Sequence, residues 1–322
     1  MLLISAAEAS GDRLAADLVQ RLGVQAKGLA GPRMRAAGVQ PVAHAEELGV
    51  MGLVEVIGAV PTAWRLMKQL EAAMEDVDLL VVVDAPDFHL PLARRARKRG
   101  VKVVWYVSPQ VWAWRRSRAL EIAELAEVVI CLLPFEPGFY PDGKAVFLGH
   151  PIAEATKPLP RAYGDTWCVA PGSRQQEVDR LLPVMLEATQ ERPRRISRAP
   201  GLKLDGVDGL RAAVEPAVAC LVASGTATLE LACMNRPMVV CYAVNPLTHF
   251  IGRRLVDVPF IALPNLILGR RVVPEFVQDL DAARLRAALL EAEVGQDLLE
   301  VRHGLRPDGA LDRITDCVRS YL

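Results

Sequence analysis

Residues 78–107, DLLVVVDAPDFHLPLARRARKRGVKVVWYV, contain the clearest indication of the fold of this chain. An apolar run, Asp78–Val83, ends at Asp84, an amphipathic segment covers 88–99, and a second apolar run covers 101–107. Continuous apolar runs of this length are typical of strands buried on both faces, and a helix between two such strands makes them parallel. The stretch therefore predicts one strand–helix–strand unit of an α/β fold.

The same alternation extends in both directions from this unit. Met1–Ala6 reads as a strand before a helix, and on the other side a further helix and strand reach Leu133. A proline-rich stretch at 149–161 breaks the pattern, which then restarts, and 281–322 looks helical. The sequence predicts two α/β domains with parallel sheets, whose strand ends face a cleft that favours ligands. The expected division is residues 1–155 for an N-terminal domain, 156–300 for a C-terminal domain, and 301–322 for a helix that packs back on the first domain.

One part of the second domain is too short for this alternation. Residues 191–217 contain little that reads as a buried strand followed by a helix, whereas one such unit needs roughly 30 residues. The second domain is therefore expected to lack this unit or to keep it in a much reduced form.

The composition excludes several classes of protein. The 322 residues include 38 Lys and Arg and 38 Asp and Glu, and zero net charge argues against a nucleic-acid-binding coat, which normally needs a basic surplus. Hydrophobic residues make up 52%, which excludes a disordered chain. The six cysteines form no CxxC pair and the five histidines form no HxxxH or HExxH pattern. Reduced thiols and no metal site are therefore expected.

No apolar run reaches the roughly 18 residues of a membrane span. The segment Leu48–Val60 comes closest, but it contains Glu55 and runs into Pro61. The N-terminal residues MLLISA lack the basic start of a signal peptide. The cytosol is therefore the expected compartment.

Two polar motifs directly follow predicted strands of the first domain. EASGD at 8–12 combines a glycine turn with an acidic pair, which favours hydroxyl binding, although Ser10 or Asp12 could equally cap the helix. DAPDFH at 84–89 places Asp84 at the end of a fully apolar strand. Partial desolvation there raises the pKa of a carboxyl group and suits a general base, whereas Asp87 competes as a helix cap.

A third motif, YVSPQVWAWR at 106–115, follows the next strand along the chain. It holds Trp112 and Trp114, two of the five tryptophans, beside Arg115. Tryptophan and arginine together suit a sugar face, an acyl chain or a membrane interface, and a packed loop is the alternative.

Two strand–turn–helix motifs mark the second domain. In PGSRQQE, Ser173 and Gln176 match a capping box, while Gly172 and Arg174 favour an anion site at the helix N-terminus. In SGTATLE at 224–230, the first helical amides and hydroxyls favour a diphosphate, and Glu230 could accept hydrogen bonds from ribose hydroxyls. Capping alone is again the alternative, although two such turns in one domain weaken it.

One further polar cluster is present, and two absent motifs argue against two classes of enzyme. A polar cluster at 263–275 lies in apolar sequence, where it reads only as a loop at a cleft. No GxGxxG follows the first strand, which argues against a dinucleotide-dependent oxidoreductase, and no GxSxG argues against an α/β-hydrolase.

Taken together, the motifs resemble those of the lipid-A-disaccharide synthase family. They occur in the family's order, and DAPDF followed by SPxVWAWR is highly specific. The matching elements are EASGD at 8–12, AGPRM at 30–34, VMGLVEV at 50–56, DAPDF at 84–88, YVSPQVWAWR at 106–115, LPFE at 133–136, GHP at 149–151, PGSRQQEV at 171–178, SGTATLE at 224–230, and LPN with GRRVVPE at 263–275.

The resemblance implies an inverting glycosyltransferase with two Rossmann-like domains of the GT-B type and no cofactor. UDP-2,3-diacylglucosamine would glycosylate the 6-hydroxyl of 2,3-diacylglucosamine 1-phosphate in a β-1,6 linkage and release UDP. The implied partners are these two substrates and lipid at the inner face of the cytoplasmic membrane, but no nucleic acid. The resemblance leaves open whether the protein forms a homodimer.

The resemblance also implies roles for individual residues. Asp84 matches the family's proposed base, with Glu8 beside it. The implied acceptor and acyl side comprises Ser10, Asp87, His89, Met51, Trp112, Trp114 and Arg115. The implied UDP-binding side comprises Gly172, Ser173, Arg174, Ser224, Gly225, Thr226, Glu230, Asn265 and Arg270.

The chain departs from the family pattern at three places. Residue 7 is Ala where the family has Gly, residue 89 is His where it has Asn, and 191–217 is shorter. Two other classes of function therefore stay open. One is an enzyme with another acceptor or a UDP-sugar epimerase, and the other is a non-catalytic protein that binds a UDP-sugar or lipid.

Overall fold

A computed structural model describes residues 1–49, 56–113, 116–244, 258–293 and 295–322. Within this part the chain forms two compact units. The first contains Met1–Pro151 and Asp308–Leu322, and the second contains Ile152–Pro307. Every strand pairing in both units is parallel.

The first unit is built on a seven-stranded sheet of order β3-β2-β1-β4-β5-β6-β7. Its strands are β1 Leu2–Ala6, β2 Ala26–Ala30, β3 Gln40–His44, β4 Leu79–Val83, β5 Lys102–Tyr106, β6 Val128–Cys131 and β7 Ala145–Phe147. Its helices up to Pro151 are α1 Ala9–Leu22, α2 Pro32–Ala36, α3 Glu46–Gly49, α4 Val56–Ala72, α5 Pro86–Lys98 and α6 Ser117–Leu125, followed by a 3₁₀ turn at Glu136–Phe139.

Apolar side chains cover both faces of this sheet. Leu80 and Val82 of β4 pack in one core with helices α4, α5 and α6. Val81 and Val83 of the same strand pack in the opposite core with α1. Because successive strand residues point to opposite faces, only a continuous apolar run can serve both cores.

The second unit has a six-stranded sheet of order β10-β9-β8-β11-β12-β13. Its strands are β8 Trp167–Ala170, β9 Arg194–Arg198, β10 Val207–Asp208, β11 Ala219–Ala223, β12 Met238–Tyr242 and β13 Glu275–Val277. The remaining helices of the described residues are α7 Pro151–Ala155, α8 Gln175–Ala188, α9 Leu210–Val214, α10 Thr226–Cys233, α11 Leu263–Leu268, α12 Ala282–Glu291, α13 Gln296–Gly304 and α14 Ala310–Arg319.

The reduced part of the second unit lies between β9 and β10. These strands pair with each other directly in sequence, no helix lies between them, and β10 has only two residues. The predicted α/β class, the parallel sheets, the reduced second domain and the helical C-terminus are therefore confirmed.

The division between the units differs from the expected boundaries. It falls after Pro151 rather than after residue 155, and the return to the first unit begins at Asp308 rather than at residue 301. The reason is that α13 packs against α10 and its Val301 is fully buried within the second unit. In contrast, α14 packs against α1, with Ile314 and Val318 in the core of the first unit.

Candidate active site

The first unit brings two predicted site residues to one point of its sheet. In this sheet β1 lies between β2 and β4. From β1 the chain continues to β2 and β3 on one side, and from β4 it continues to β5 on the other side, so the strand order reverses between β1 and β4. Ligands bind at the carboxyl ends of strands where the order reverses in this way. Glu8 follows β1 and Asp84 follows β4, and Ala6 and Val83 are register partners just before them.

The Asp84 carboxyl group is half-buried and has an unusually high pKa. Burial, and secondarily the negative charge of Glu8, raise the pKa of Asp84 to about 6, against a lowering by a hydrogen bond to the Ala85 backbone. A carboxylate with this pKa is mostly ionised at pH 7 and still accepts a proton more readily than an exposed aspartate. The arrangement can therefore remove a proton from a bound hydroxyl group.

The backbone at these strand ends is strained. Asp84, Ala85 and Val107 have φ angles of 51°, 45° and 73°. Left-handed conformations of residues other than glycine cost on the order of 1–3 kcal/mol each, and a branched residue such as Val107 is a clear outlier. Asp84 directly follows β4 and Val107 directly follows β5, and these two strands pair with each other. The strain therefore lies at the candidate site.

His89 and Asp87 occupy different environments in α5. His89 is fully buried, with Nδ1 2.6 Å from the Asp84 carbonyl oxygen and Nε2 2.9 Å from Ser5 Oγ. It therefore supports the strand end rather than exposing its ring to an acceptor. Asp87 is exposed and forms an ion pair with Arg118. The helix cap expected at Asp87 is wrong, because α5 begins at Pro86 with Ala85 as its N-cap.

The EASGD motif divides between surface and structure. Glu8 and Ser10 are exposed at the start of α1. Asp12 is buried and its carboxylate accepts from the Arg33 and Met34 amides at 2.9 and 3.1 Å. It therefore stabilises the N-terminus of α2, not of α1 as the capping alternative expected. A side chain at Gly31 would meet this carboxylate at 2.4 Å, so the neighbouring glycine is required.

The loop after β5 is packed around a carboxyl group that the sequence analysis left out of the site. Trp112 is buried, and its Nε1 donates to Glu136 Oε1 at 3.2 Å. Glu136 Oε2 accepts from the amides of Leu132 and Leu133 at 3.0 and 2.9 Å. Burial is the main cause that raises the pKa of Glu136 to about 7, and repulsion by the negative charge of Asp84 raises this pKa by a smaller amount. The available signal was a lone glutamate five residues after the end of the apolar strand β6.

Three predicted acceptor-side residues cannot be placed. Met51, Trp114 and Arg115 lie outside the described residues. The same holds for most of the side chains of the apolar segment Leu48–Val60.

The second unit has an equivalent reversal of strand order between β8 and β11. Gly172, Ser173 and Arg174 follow β8, and Ser224, Gly225 and Thr226 follow β11. Both turns lead into helices, α8 and α10, whose first amides favour an anion. The topology therefore brings the two predicted phosphate-binding turns to neighbouring strand ends, because β8 and β11 pair directly.

The turn before α8 presents Arg174 to solvent. The Arg174 side chain is 73% exposed, and its NH1 lies 3.2 Å from Glu177 Oε1. Gly172 has a φ of 118°, and a Cβ atom there would lie 2.7 Å from Glu177 Oε2. The capping box expected from Ser173 and Gln176 is wrong, because the N-cap is Arg174 and no side chain caps it.

The turn before α10 is held by its serine. Ser224 Oγ donates to the Ile261 carbonyl at 3.0 Å, which ties this turn to the segment before α11. Thr226 is exposed as the first residue of α10, and Glu230 is half-buried one turn later. Thr226 is thus the most exposed of the four predicted UDP-binding residues at this turn and helix.

The polar cluster at 263–275 holds its own loop together. Asn265 is fully buried: its Nδ2 donates to Val273 O at 3.0 Å, and its Oδ1 accepts from the amides of Val272 and Val273. Glu275 Oε2 accepts from the Ala262 amide at 2.8 Å. The amide of Asn265 is thus used by the chain itself, so we assign it to the loop rather than to direct UDP contact.

Arg270 is also used within the second unit. Its NH2 lies 2.8 Å from Asp297 and 2.6 Å from Glu300, both on α13. The guanidinium group therefore joins the loop to α13, and a role as a direct UDP ligand is not supported by this geometry.

Within the residues that the structure describes, no group of three or more His, Cys, Asp and Glu side chains could hold a metal ion. In the same residues, no helix is both long and apolar enough to cross a membrane.

Solved structures with a similar fold include two glycosyltransferases and a UDP-GlcNAc 2-epimerase. The glycotransferase of kitacinnamycin matches with a TM-score of 0.68 and 17% identity, over 100% of this chain and 98% of that one. The calicheamicin glycosyltransferase CalG4 matches equally well at 16% identity. The UDP-GlcNAc 2-epimerase of Methanocaldococcus jannaschii, in complex with UDP-GlcNAc and UDP, covers 99% of each chain with a TM-score of 0.62 and 9% identity. These matches define the class: a two-domain α/β fold of the GT-B glycosyltransferase type.

Sequence comparison gives the family. The family model described as lipid-A-disaccharide synthetase matches residues 2–199 and 205–300, and the break falls in the reduced part of the second unit. Lipid-A-disaccharide synthase of Anaeromyxobacter dehalogenans (strain 2CP-C) is 38% identical over 98% of this chain and 96% of that protein. The enzyme of Nitrosococcus oceani is 40% identical over 90% of this chain and 85% of its own length. The chain belongs to the lipid-A-disaccharide synthase family, and its members are glycosyltransferases.

Proposed function

We propose that this protein transfers the diacylglucosaminyl group of UDP-2,3-diacylglucosamine to the 6-hydroxyl of 2,3-diacylglucosamine 1-phosphate. The products are the β-1,6-linked lipid A disaccharide and UDP. The observation that carries the proposal is Asp84, a carboxylate with a raised pKa at the strand reversal of the first unit. The family of the chain supplies the two substrates.

In this reaction Asp84 takes the proton of the acceptor 6-hydroxyl. The hydroxyl oxygen attacks the anomeric carbon, the bond from that carbon to the β-phosphate oxygen breaks, and UDP leaves with inversion. Positioning of the hydroxyl and removal of its proton both lower the barrier. Glu8 and Ser10 line the acceptor side next to Asp84.

The second unit stabilises the charge that grows on the leaving diphosphate. We assign this role to the turns at Gly172–Arg174 and Ser224–Thr226, with Arg174 as the accessible cation. Amide groups at helix N-termini and an arginine are preorganised donors for such a charge. Glu230, one turn into α10, is assigned to the ribose hydroxyls.

Association with the membrane remains a prediction. Both substrates carry acyl chains, so the enzyme is expected to work at the inner face of the cytoplasmic membrane. The apolar segment Leu48–Val60 and the tryptophan loop are the parts of the sequence proposed to contact lipid.

The test combines product analysis with one substitution. The purified protein is incubated with both substrates in detergent, and the disaccharide is followed by mass spectrometry together with UDP release. Asp84→Asn is expected to lower kcat by about 10²–10⁴-fold, because the general base is lost. Asparagine also tolerates the left-handed backbone, so the variant should fold.

The control is Asp76→Asn, which changes an exposed aspartate shortly before the same strand. The rise in melting temperature caused by UDP should persist in both variants. Full activity of Asp84→Asn would remove Asp84 as the base. An epimerised sugar formed without acceptor, or UDP binding with no turnover in the wild type, would replace the proposed function with one of the two alternatives.

A further inference from the structure

The ring of His89 contacts the backbone of the residue that carries the proposed base. Nδ1 lies 2.6 Å from the carbonyl oxygen of Asp84, and a carbonyl oxygen only accepts, so Nδ1 must carry the proton. Burial lowers the pKa of His89 to about 4, which leaves the ring neutral at pH 7. Nε2 then accepts from the Ser5 hydroxyl at 2.9 Å. These bonds fix the tautomer of the ring.

The backbone that His89 holds is one that a folded chain rarely adopts. Asp84 and Ala85 are consecutive left-handed residues without a glycine. Such a conformation persists only when the surroundings fix it. The Ala85 carbonyl accepts from the amides of Phe88 and His89 at 3.1 and 2.9 Å, whereas the Asp84 carbonyl accepts from the His89 ring. The carbonyl groups of both left-handed residues of this turn thus accept hydrogen bonds that hold the turn in place.

The ring itself is fixed in position by its neighbours. Phe88 and Trp105 contact it edge-to-face, with centroids 5.5 and 6.4 Å away. Ser5, its hydrogen-bond partner, lies on β1 and is the register partner of Val82 on β4. His89 therefore connects the two strands at which the sheet order reverses with the turn that carries Asp84.

We propose that His89 is a positioning residue for the transfer reaction. Its Nδ1–H group holds the Asp84 carbonyl in place and thereby sets the direction in which the Asp84 side chain points from the end of the strand. The role rests on the proposed function, because it acts through Asp84 as the base. His89 is buried and lies behind this turn, so it needs no contact with either substrate.

Two amide substitutions separate this role from simple packing. In His89→Asn the side-chain amide takes the place of Nδ1 and can still donate to the Asp84 carbonyl. In His89→Gln the amide extends to the place of Nε2, near Ser5, and leaves that carbonyl without its donor. Glutamine is closer to histidine in size, so a packing role would favour it over asparagine.

We expect His89→Asn to keep kcat within about threefold of the wild type, and His89→Gln to lose about tenfold or more in kcat with little change in KM. The reason is that a misdirected base impairs the chemical step and leaves substrate binding intact. Melting temperatures of both variants, with and without UDP, report whether the loss follows stability instead. Equal kcat values for the two variants, or losses that follow the melting temperature, would overturn the positioning role.

A measurement on the unmodified protein avoids dependence on variants that fail to fold. In ¹⁵N-labelled protein, NMR of the histidine rings should show His89 as the neutral tautomer protonated at Nδ1. A proton on Nε2 would overturn the inference, whatever the activity. Active wild type with equal Asn and Gln variants would overturn the positioning role alone, whereas a wild type without transferase activity would overturn the proposed function and this role with it.

Discussion

At the scale of single residues, the protonation of Asp84 depends on a side chain far away in the sequence. Glu8 follows β1 and Asp84 follows β4, and only the pairing of these strands brings the two carboxylates together. The negative charge of Glu8 makes the ionised form of Asp84 less favourable, so it raises the pKa of Asp84 beyond the effect of burial. The pH range in which the base works is therefore a property of the pair.

Glu8→Gln is expected to lower the apparent pKa of Asp84, because the repelling charge is removed. In the wild type, kcat/KM should fall as the pH drops below about 6, where Asp84 takes up its proton. In Glu8→Gln the fall should occur at lower pH. Profiles of kcat/KM against pH check this, with Glu75→Gln, an exposed carboxylate of the same unit, as the control.

An unchanged acidic limb in Glu8→Gln would show that Glu8 does not act on Asp84 through its charge. A loss of kcat at all pH values would instead assign Glu8 a direct part in the chemistry.

At the scale of elements, the loop around α11 keeps its shape through two polar side chains. Asn265 bonds the backbone of Val272 and Val273, and Glu275 on β13 bonds the amides of Ile261 and Ala262. The Asn265 amide also donates to Glu275 Oε2 at 3.3 Å. The loop is linked in turn to Ser224, whose hydroxyl donates to the Ile261 carbonyl. A polar cluster in apolar sequence thus serves to support a proposed phosphate-binding turn.

Asn265→Asp should destabilise the second unit by more than about 2 kcal/mol, because a buried carboxylate replaces a donor beside Glu275. Adding Glu275→Gln should not recover the loss, because Glu275 Oε2 also accepts from the Ile261 and Ala262 amides, and an NH2 group in its place would oppose these donors. Urea unfolding of the single and double variants measures the coupling. Wild-type stability of Asn265→Asp would mean that the amide is not needed by the loop.

At the scale of the whole molecule, the chain returns to its first unit after completing the second. Helix α14 places Ile314 and Val318, both fully buried, in the core that also contains Leu18 and Val19 of α1. The C-terminal helix is therefore part of the fold that carries Asp84. The stability of the first unit depends on residues at the opposite end of the sequence.

Ile314→Ala is expected to lower the free energy of unfolding by about 2–5 kcal/mol, through lost burial and the remaining cavity. Hydrogen exchange should become faster in α1, which packs against α14. Asp316→Ala, on the exposed side of the same helix, is the control and should change stability little. Unchanged exchange in α1 with Ile314→Ala would contradict the packing described.

Continuous apolar runs let the sequence predict the central strands: the runs Met1–Ala6 and Asp78–Val83 match β1 and β4 to within one residue. Five strands, β3, β7, β9, β10 and β13, were not predicted, because their residues are largely half-buried or exposed and form no such run. Asp84 was predicted as the base because a carboxylate at the end of an apolar strand is chemically unusual wherever the strand lies. The family motifs were likewise present in the sequence itself.

The α/β class, the family and the strand ends that carry the predicted site residues can all be inferred from the amino-acid sequence alone. Which polar residues are exposed and which bond the backbone depends on the tertiary structure. Asp12, His89 and Asn265 bond buried backbone groups, whereas Ser10 and Arg174 are exposed. A polar side chain satisfies its hydrogen bonds equally well with water, a ligand or the chain, and that choice depends on neighbours that the sequence places far apart.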